Sequence, residues 1–495
     1  MKLNSYPLLL TSVALSSALS FDPTNRADSV TTAAKQIASG AFSYYTTQNA
    51  GVGLFPGALF WESGSAWNAL INYWFLTGDT TYNTAVQSAL QAQSMDGFQP
   101  ANQSNTMTND EQAIWALTAV SALERGFPSI DGTSYLSLAV AAFDSLEARW
   151  DTTDTDSCGI PAGGLRWSPY PFNVGYDYKN TPSTALFFQL SARLARYTGN
   201  VTYTETAAKA YNWLEKSGLV DASGAVYDGF QDYSSSSTSS SSGSSSSSSS
   251  STSCASSSNI NRIQWSNSAL ALLHGTLVLS NMTTEPVWRS RSLTLLSSIE
   301  SVFYPASPST VPATSTNGNA SVLVESACEP IGTCNSEQVA FKGLAARWLA
   351  WSSVAAPSGM NIPARVASKV GGSASAAAQR CANNNGKMLC TGRWFDASGP
   401  NVKPGDISGN TGFGQQLSAL EAVLAPLVNG SIVLERMGTR AVSTTNGTAV
   451  ATLTGTASAT AMKTVGVSQL SGGARGARVG DLSALIMLAV VALVM

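Results

Sequence analysis

The sequence predicts an all-α domain, a toroid of paired helices, and three observations lead there. Apolar residues recur at three- and four-residue spacing in twelve segments, the period at which one face of an α-helix is buried. Period-two alternation, the mark of half-buried strands, is scarce. Two helix ends also share a layout: in "NYWFLTGDTTYNTA" and "ARLARYTGNVTYTETA" an aromatic residue, Thr-Gly-Asp/Asn and a tyrosine lead into a new helix. Such a weak internal repeat of helical hairpins is how a ring of helix pairs is built.

In order, helices are expected at 29–47, 58–76, 81–94, 110–125, 133–149, 182–198, 202–217, 265–280, 286–303, 335–353, 362–382 and 413–428. Turn chemistry separates them: "TGD" at 77–79 follows the second, "GFP" at 126–128 the fourth and "TGN" at 198–200 the sixth. The fourth opens on "TMTNDEQ". There Asn109 with Gln112, or Thr108 with Glu111, makes a capping pair, and the helix dipole favours acids such as Asp110 and Glu111 in the first turn. Residues 234–258 hold 20 serines in 25 positions, too little apolar surface to pack, so a disordered insertion is expected. It interrupts one domain, because the helical pattern resumes beyond it. Residues 436–471 are rich in Ser and Thr without a helical stripe and read as a stalk.

The chain has 495 residues, 44% of them hydrophobic, enough for a large core. Charged residues make up 12%, net charge is −3 and no long basic run occurs, so a nucleic-acid partner is not expected. Residues 1–20 combine Lys2, an apolar centre and a small-residue close, the pattern of a secretory signal. At the other end "LSALIMLAVVALVM" is 14 uncharged residues, short for a membrane span. It follows a polar spacer and the small residues Ser471, Gly472 and Gly473, the layout of a signal exchanged for a glycosylphosphatidylinositol (GPI) anchor. Attachment is expected at Ser471, with Gly472 or Gly473 as near alternatives, 472–495 removed and the membrane held only through lipid. Sequons begin at Asn102, Asn200, Asn281, Asn319, Asn429 and Asn446. Six cysteines suit an oxidising compartment; the local pairs Cys328–Cys334 and Cys381–Cys390 are one of 15 pairings.

A single histidine, His274, lies in the apolar run "ALALLHGTLVLS" with no acid beside it. A satisfied helix histidine is therefore expected rather than the base of a nucleophile triad. No C-x-x-C pair is present, so neither a structural metal nor a cofactor is expected. Proton chemistry would fall to carboxylates. Glycoside hydrolysis needs two of them flanking one bond, about 5 Å apart for retention, and a helix start projecting into a cleft can present neighbours such as Asp110 and Glu111.

Beyond spacing, "NDEQAIWALTAVSALE" resembles the acidic-pair region of glycoside hydrolase family 76, the endo-α-1,6-mannanases. "LINYWFLTGDTTYN", "GGLRW", "YKNTPSTALFFQLSARLARYTGNVTY", "CEPIGTCNSEQVAFKG" and "GFGQQLSALEAVL" agree in order, over about 27–428. The resemblance implies an (α/α)6 barrel within 21–435 and a retaining mechanism, with Asp110 as nucleophile and Glu111 as acid/base. The family pattern has Asp where this chain has Glu111 and Glu337, and Tyr where it has Ser266. The implied donor is α-1,6-mannan or the mannose-containing core of GPI glycans, and the acceptor is water or wall glucan. A barrel kept for carbohydrate binding or wall structure without turnover is the competing expectation. Sugar rings stack on aromatics while planar polar groups hold hydroxyls. Trp61, Trp67, Trp167, Tyr178, Lys179, Asn180, Asp228 and Gln338 are the candidate subsite contacts, whereas Trp74, Trp115, Trp213 and Trp348 lie on helical stripes and are assigned to the core.

Overall fold

A computed structural model describes residues 18–46, 48, 51–129, 134–152, 161–232, 259–305, 321–395 and 411–437. Most of the leader, the serine-rich insertion, Asn319, Asn446, Cys158, Cys254, the stalk beyond 437 and Ser471 lie outside these residues. Among them are twelve α-helices of ten residues or more: α1 Thr31–Phe42, α2 Phe60–Thr77, α3 Asn83–Ala92, α4 Asn109–Glu124, α5 Tyr135–Ala148, α6 Thr181–Thr198, α7 Val201–Lys216, α8 Ser266–Met282, α9 Pro286–Phe303, α10 Gln338–Ala355, α11 Ile362–Gln379 and α12 Phe413–Leu424. The twelve expected segments all appear, with ends shifted by a few residues.

Even-numbered helices make an inner ring that closes on itself: α2 packs on α4, α4 on α6, and so on to α12, which returns to α2. Odd-numbered helices pack outside it. This is an (α/α)6 barrel, and its two rings read differently in sequence. An inner helix is covered on nearly every side, so its polar residues are buried along with its apolar ones. In α2 every residue from Phe60 to Tyr73 is buried, Glu62, Ser63, Ser65, Asn68 and Asn72 included. Small residues set the spacing. A Cβ on Gly64 would lie 2.9 Å from the ring of Trp115 on α4, and one on Gly343 would lie 2.9 Å from the backbone of Ser418 on α12.

The repeated Thr-Gly layout has a physical cause. Gly78 and Gly199 take φ of 77° and 72°, a left-handed conformation that costs glycine little. Their N–H groups cap Trp74 and Ala195, and the chain turns from an inner helix to the next outer one. Because inner and outer helices alternate up and down, all six inner helices start at one end of the barrel and finish at the other.

Two short antiparallel ribbons complete the fold: β1 Tyr178–Asn180 with β2 Gly229–Gln231, and β3 Cys381–Asn384 with β4 Lys387–Cys390. The second corrects the expected end of the helix at 382. Asn385 and Gly386 both take positive φ, the two-residue hairpin turn, and the Cys381–Cys390 disulfide joins directly paired residues across the ribbon. Cys328–Cys334 is also formed. His274 is buried with Nδ1 3.0 Å from Gln189; burial, then the charge of Arg193, pushes its pKa down to about 3, so the ring is neutral. After α12 the chain crosses the far end of the barrel, where the N–H of Glu435 donates to Glu124 and that of Met437 to Tyr197.

Candidate active site

The starts of the inner helices lie at one end of the barrel, and those of α2, α4, α6, α8 and α10 bring Trp61, the Asp110–Glu111 turn, Asn180, Trp265 and Glu337 around one cleft. The positive ends of six helix dipoles point there, a setting that favours anions. Thr108 is the N-cap of α4, Asn109 its first residue, and Asp110 and Glu111 fill the first turn. The N–H and side-chain amide of Asn109 bond the carbonyls of Trp167 and Arg166, at 2.8 and 2.7 Å. That fixes where the turn points.

Asp110 is half-buried at the cleft. One carboxylate oxygen accepts from the Thr108 hydroxyl and, at 3.1 Å, from the N–H of Glu111; the other accepts from Asn180 Nδ2 at 3.3 Å. Glu111 is buried. Its Oε2 accepts from the N–H of Thr108 at 3.0 Å, the return half of a capping box, and its Oε1 more weakly from that of Trp61 at 3.3 Å. Loss of water raises the pKa of both acids. For Glu111, burial and then the neighbouring charge of Asp110 reach about 8, against the Thr108 and Trp61 donors. Asp110 is held back by Thr108 and Asn180. One helix turn thus carries a donor-rich acid beside one that keeps its proton.

One more carboxyl, Glu337, acts on the pair, and Glu62 stands beside Glu337 in turn. Glu337, the N-cap of α10, takes a hydrogen bond from the side chain of Trp61; burial, then Asp110, raises its pKa. Glu62, one residue from Trp61, is pushed up to about 7, mainly by burial. On the adjoining wall Asp228 accepts from Tyr178 Oη at 2.6 Å, Asn261 Nδ2 at 2.9 Å and Trp265 Nε1 at 3.0 Å.

Of the expected contacts, Trp61, Asn180, Tyr178 and Asp228 are brought to the cleft, and Trp167 stands at its rim. Three need correction. Trp67 is wholly buried between Tyr45, Phe55 and Phe42, with its indole N–H on the Gly53 carbonyl at 2.7 Å, which leaves no face for a sugar. Lys179 points away from the cleft because side chains alternate along a strand. Tyr178 and Asn180 face the site, while Lys179 enters a buried quartet with Arg166, Asp151 and Asp232, its Nζ 2.8 and 3.0 Å from the two acids. Gln338 exchanges bonds with Asn335 at the start of α10, at 3.0 and 2.8 Å, and its neighbour Glu337 is the one that joins the acids. Glu337, Glu62, Asn261 and Trp265 were not among the expected contacts. Their common position is the start of an inner helix: Glu62 lies in the first turn of α2, Trp265 is the N-cap of α8 with Asn261 just ahead of it, and Glu337 is the N-cap of α10. Asn102, Asn200 and Asn281 are exposed and Asn429 half-exposed.

Among the described residues, no group of three or more His, Cys, Asp or Glu is arranged to hold a metal ion.

The sequence model of glycosyl hydrolase family 76 matches residues 29–435. The chain belongs to this family. It is 33% identical over 407 residues to mannan endo-1,6-alpha-mannosidase DCW1 of Saccharomyces cerevisiae, 80% of this chain and 79% of that protein. Against DCW1 of Candida albicans the identity is 32% over 432 residues, covering 86% and 85%. The crystal structure of Dfg5 from Chaetomium thermophilum in complex with glucosamine superposes with a TM-score of 0.68 at 29% identity, covering 82% of this chain and 92% of that one. The α-1,6-mannanase of a Salegentibacter species, at 18% identity and TM-score 0.56 over 80% of this chain and 98% of that one, shares the fold. Family membership agrees with an all-α barrel.

Two of these carboxyls, together with Glu325, which accepts from the N–H and hydroxyl of Ser266 at 3.0 and 2.5 Å, make stability depend on pH. Glu62, Glu111 and Glu325 have folded-state pKa values raised to about 7, 8 and 8, above the ordinary 4.5, with burial the main cause in each. The protonated form is the one the fold prefers. This stabilisation is complete below the unfolded carboxyl pKa and is lost as pH rises through 7 and 8. The melting temperature is expected to fall by several degrees between about pH 5 and about pH 9, read by calorimetry. A flat or rising profile would contradict it.

Proposed function

We propose that the protein is a retaining endo-α-1,6-mannosidase of the fungal cell wall, with Asp110 as nucleophile and Glu111 as general acid/base. The observation that carries this reading is the unequal setting of two adjacent acids on one helix turn: Asp110 open to the cleft with three donors, Glu111 buried and protonated to about pH 8. Asp110 attacks the anomeric carbon while Glu111 gives its proton to the leaving oxygen. Glu111 then takes a proton from the acceptor, which displaces Asp110 from the sugar. Two neighbouring carboxyls suit the short separation of retaining enzymes. The relatives' names support the substrate, as does a related α-1,6-mannanase that is inactive with two consecutive aspartates replaced and was solved with α-1,6-mannotriose.

The acceptor is water, giving hydrolysis, or a wall glucan, giving transfer; the donor is wall mannan or the mannose core of a GPI glycan. A cleaved leader, a Ser/Thr-rich stalk and a lipid anchor at Ser471 complete the proposal. The path of 435–437 across the end of the barrel opposite the cleft suits it, since a tether leaving there keeps the cleft unobstructed.

The test is to incubate the protein with α-1,6-mannohexaose, with and without a glucan acceptor, reading products by mass and anomeric configuration by NMR. Retained configuration in the first-formed products is expected. Glu111→Gln should lose far more rate on the oligosaccharide than on an aryl mannoside whose leaving group needs no proton. Equal losses on the two would remove Glu111 from the acid role.

A further inference from the structure

The segment between Leu165 and Tyr178 is built more rigidly than a connector requires, and it exposes apolar side chains at its tip. Its base is the buried quartet of Arg166, Lys179, Asp151 and Asp232. Arg166 also donates to the Tyr176 carbonyl at 3.1 Å and stacks on that ring at 4.8 Å. Ser168 Oγ closes the loop on the Val174 carbonyl at 2.6 Å, and Asn173 Nδ2 ties it to Ser104 at 3.1 Å. Pro169 and Pro171 restrict the backbone further. Within this frame Tyr170 and Phe172 stack with centroids 5.2 Å apart and planes 5° from parallel. Tyr170 backs one face of Phe172 and the other is open: Phe172 is 72% exposed, Val174 92% and Trp167 36%. Rigid exposed aromatics of this kind are the usual mark of a binding surface.

The loop is continuous with the cleft at both ends. Trp167 accepts the N–H of Asn109, next to Asp110, and the strand that follows carries Tyr178 and Asn180 to the site. From Trp167 to Tyr178 it contains no lysine or arginine. A neutral ligand fits this surface better than a phosphate or an anionic bilayer does.

We propose that residues 167–174 form a distal subsite on which a remote sugar of an α-1,6-mannan chain stacks, with Phe172 as the platform. This rests on the reading of the cleft as an endo-mannosidase site. An endo-acting enzyme binds a polymer that runs past the cleaved bond, and a flat ring at the rim can take the C–H face of a pyranose several residues away.

The test compares kcat/KM of the wild type and Phe172→Ala on α-1,6-mannohexaose and α-1,6-mannotriose. A loss of about fivefold is expected on the hexaose, with the triose within about twofold of wild type and Phe172→Trp restoring the hexaose rate. Equal losses at both lengths, or no loss at either, overturn the platform. Should the wild type cleave neither, calorimetric binding of the hexaose by Asp110→Asn, with and without Phe172→Ala, takes the place of rates. Weaker binding in the double variant supports the platform even though the reaction assignment fails; no difference, or no binding, overturns it. Sedimentation with phosphatidylcholine vesicles that is lost in Phe172→Ala, without any effect of chain length, overturns it in favour of a membrane contact.

Discussion

Asp110→Asn is expected to lower kcat/KM on α-1,6-mannohexaose by at least about three to four orders of magnitude, with the melting temperature at or above that of the wild type. The two halves have separate causes. An amide cannot form the covalent glycosyl intermediate, so the step that Asp110 performs has no replacement. It is nevertheless isosteric, its carbonyl can accept from the Thr108 hydroxyl and the Glu111 N–H, and it removes a carboxylate whose burial is costly. Product analysis on α-1,6-mannooligosaccharides together with calorimetry reads both. Wild-type turnover would remove Asp110 from the chemistry. Lost turnover accompanied by a collapsed melting temperature would mean that the acid serves the helix start more than the substrate.

Lys179→Met should do the opposite: destabilise the fold by about 3–5 kcal/mol, a fall in melting temperature of about 4–6 °C for a domain of this size. In the quartet two cations balance two carboxylates; the side chains of Lys179, Asp151 and Asp232 are buried and that of Arg166 is 11% exposed. Removing the ammonium takes a cation from both Asp151 and Asp232 and strips the Gly163 carbonyl of a donor at 2.9 Å. The cost lies mostly in the unbalanced charge. The double variant Lys179→Met/Asp232→Asn, neutral again, is therefore expected to regain part of the loss. Unchanged stability with weakened mannan affinity would sink this account and make Lys179 a sugar ligand. Expression yield and thermal melts of the two variants decide between them.

Lys179 and Gln338 show why the sequence located the site but misplaced some of its members. Both lie beside true cleft residues, and both were chosen from a run of polar neighbours. On a strand the next residue faces the other way, so the run Tyr178, Lys179, Asn180 divides between cleft and ion quartet. At a helix start the side chain one position on can be taken up by the cap, as Gln338 is by Asn335. The acidic pair was legible because adjacency along one helix turn is itself a local property. Glu337 was harder to find: it meets Asp110 only because α10 and α4 stand across the same ring.

The sequence by itself determined the twelve helices, their turns, the inner-to-outer hairpins and the helix start that carries Asp110 and Glu111, because periodicity, capping and left-handed glycines act within a few residues of one another. Only the tertiary structure decided which side chains share the cleft, that Trp67 belongs to the core and which acids keep a proton. Ring closure brings distant helix starts together, and burial, a property of the closed ring rather than of any segment, sets the charge state of what meets there.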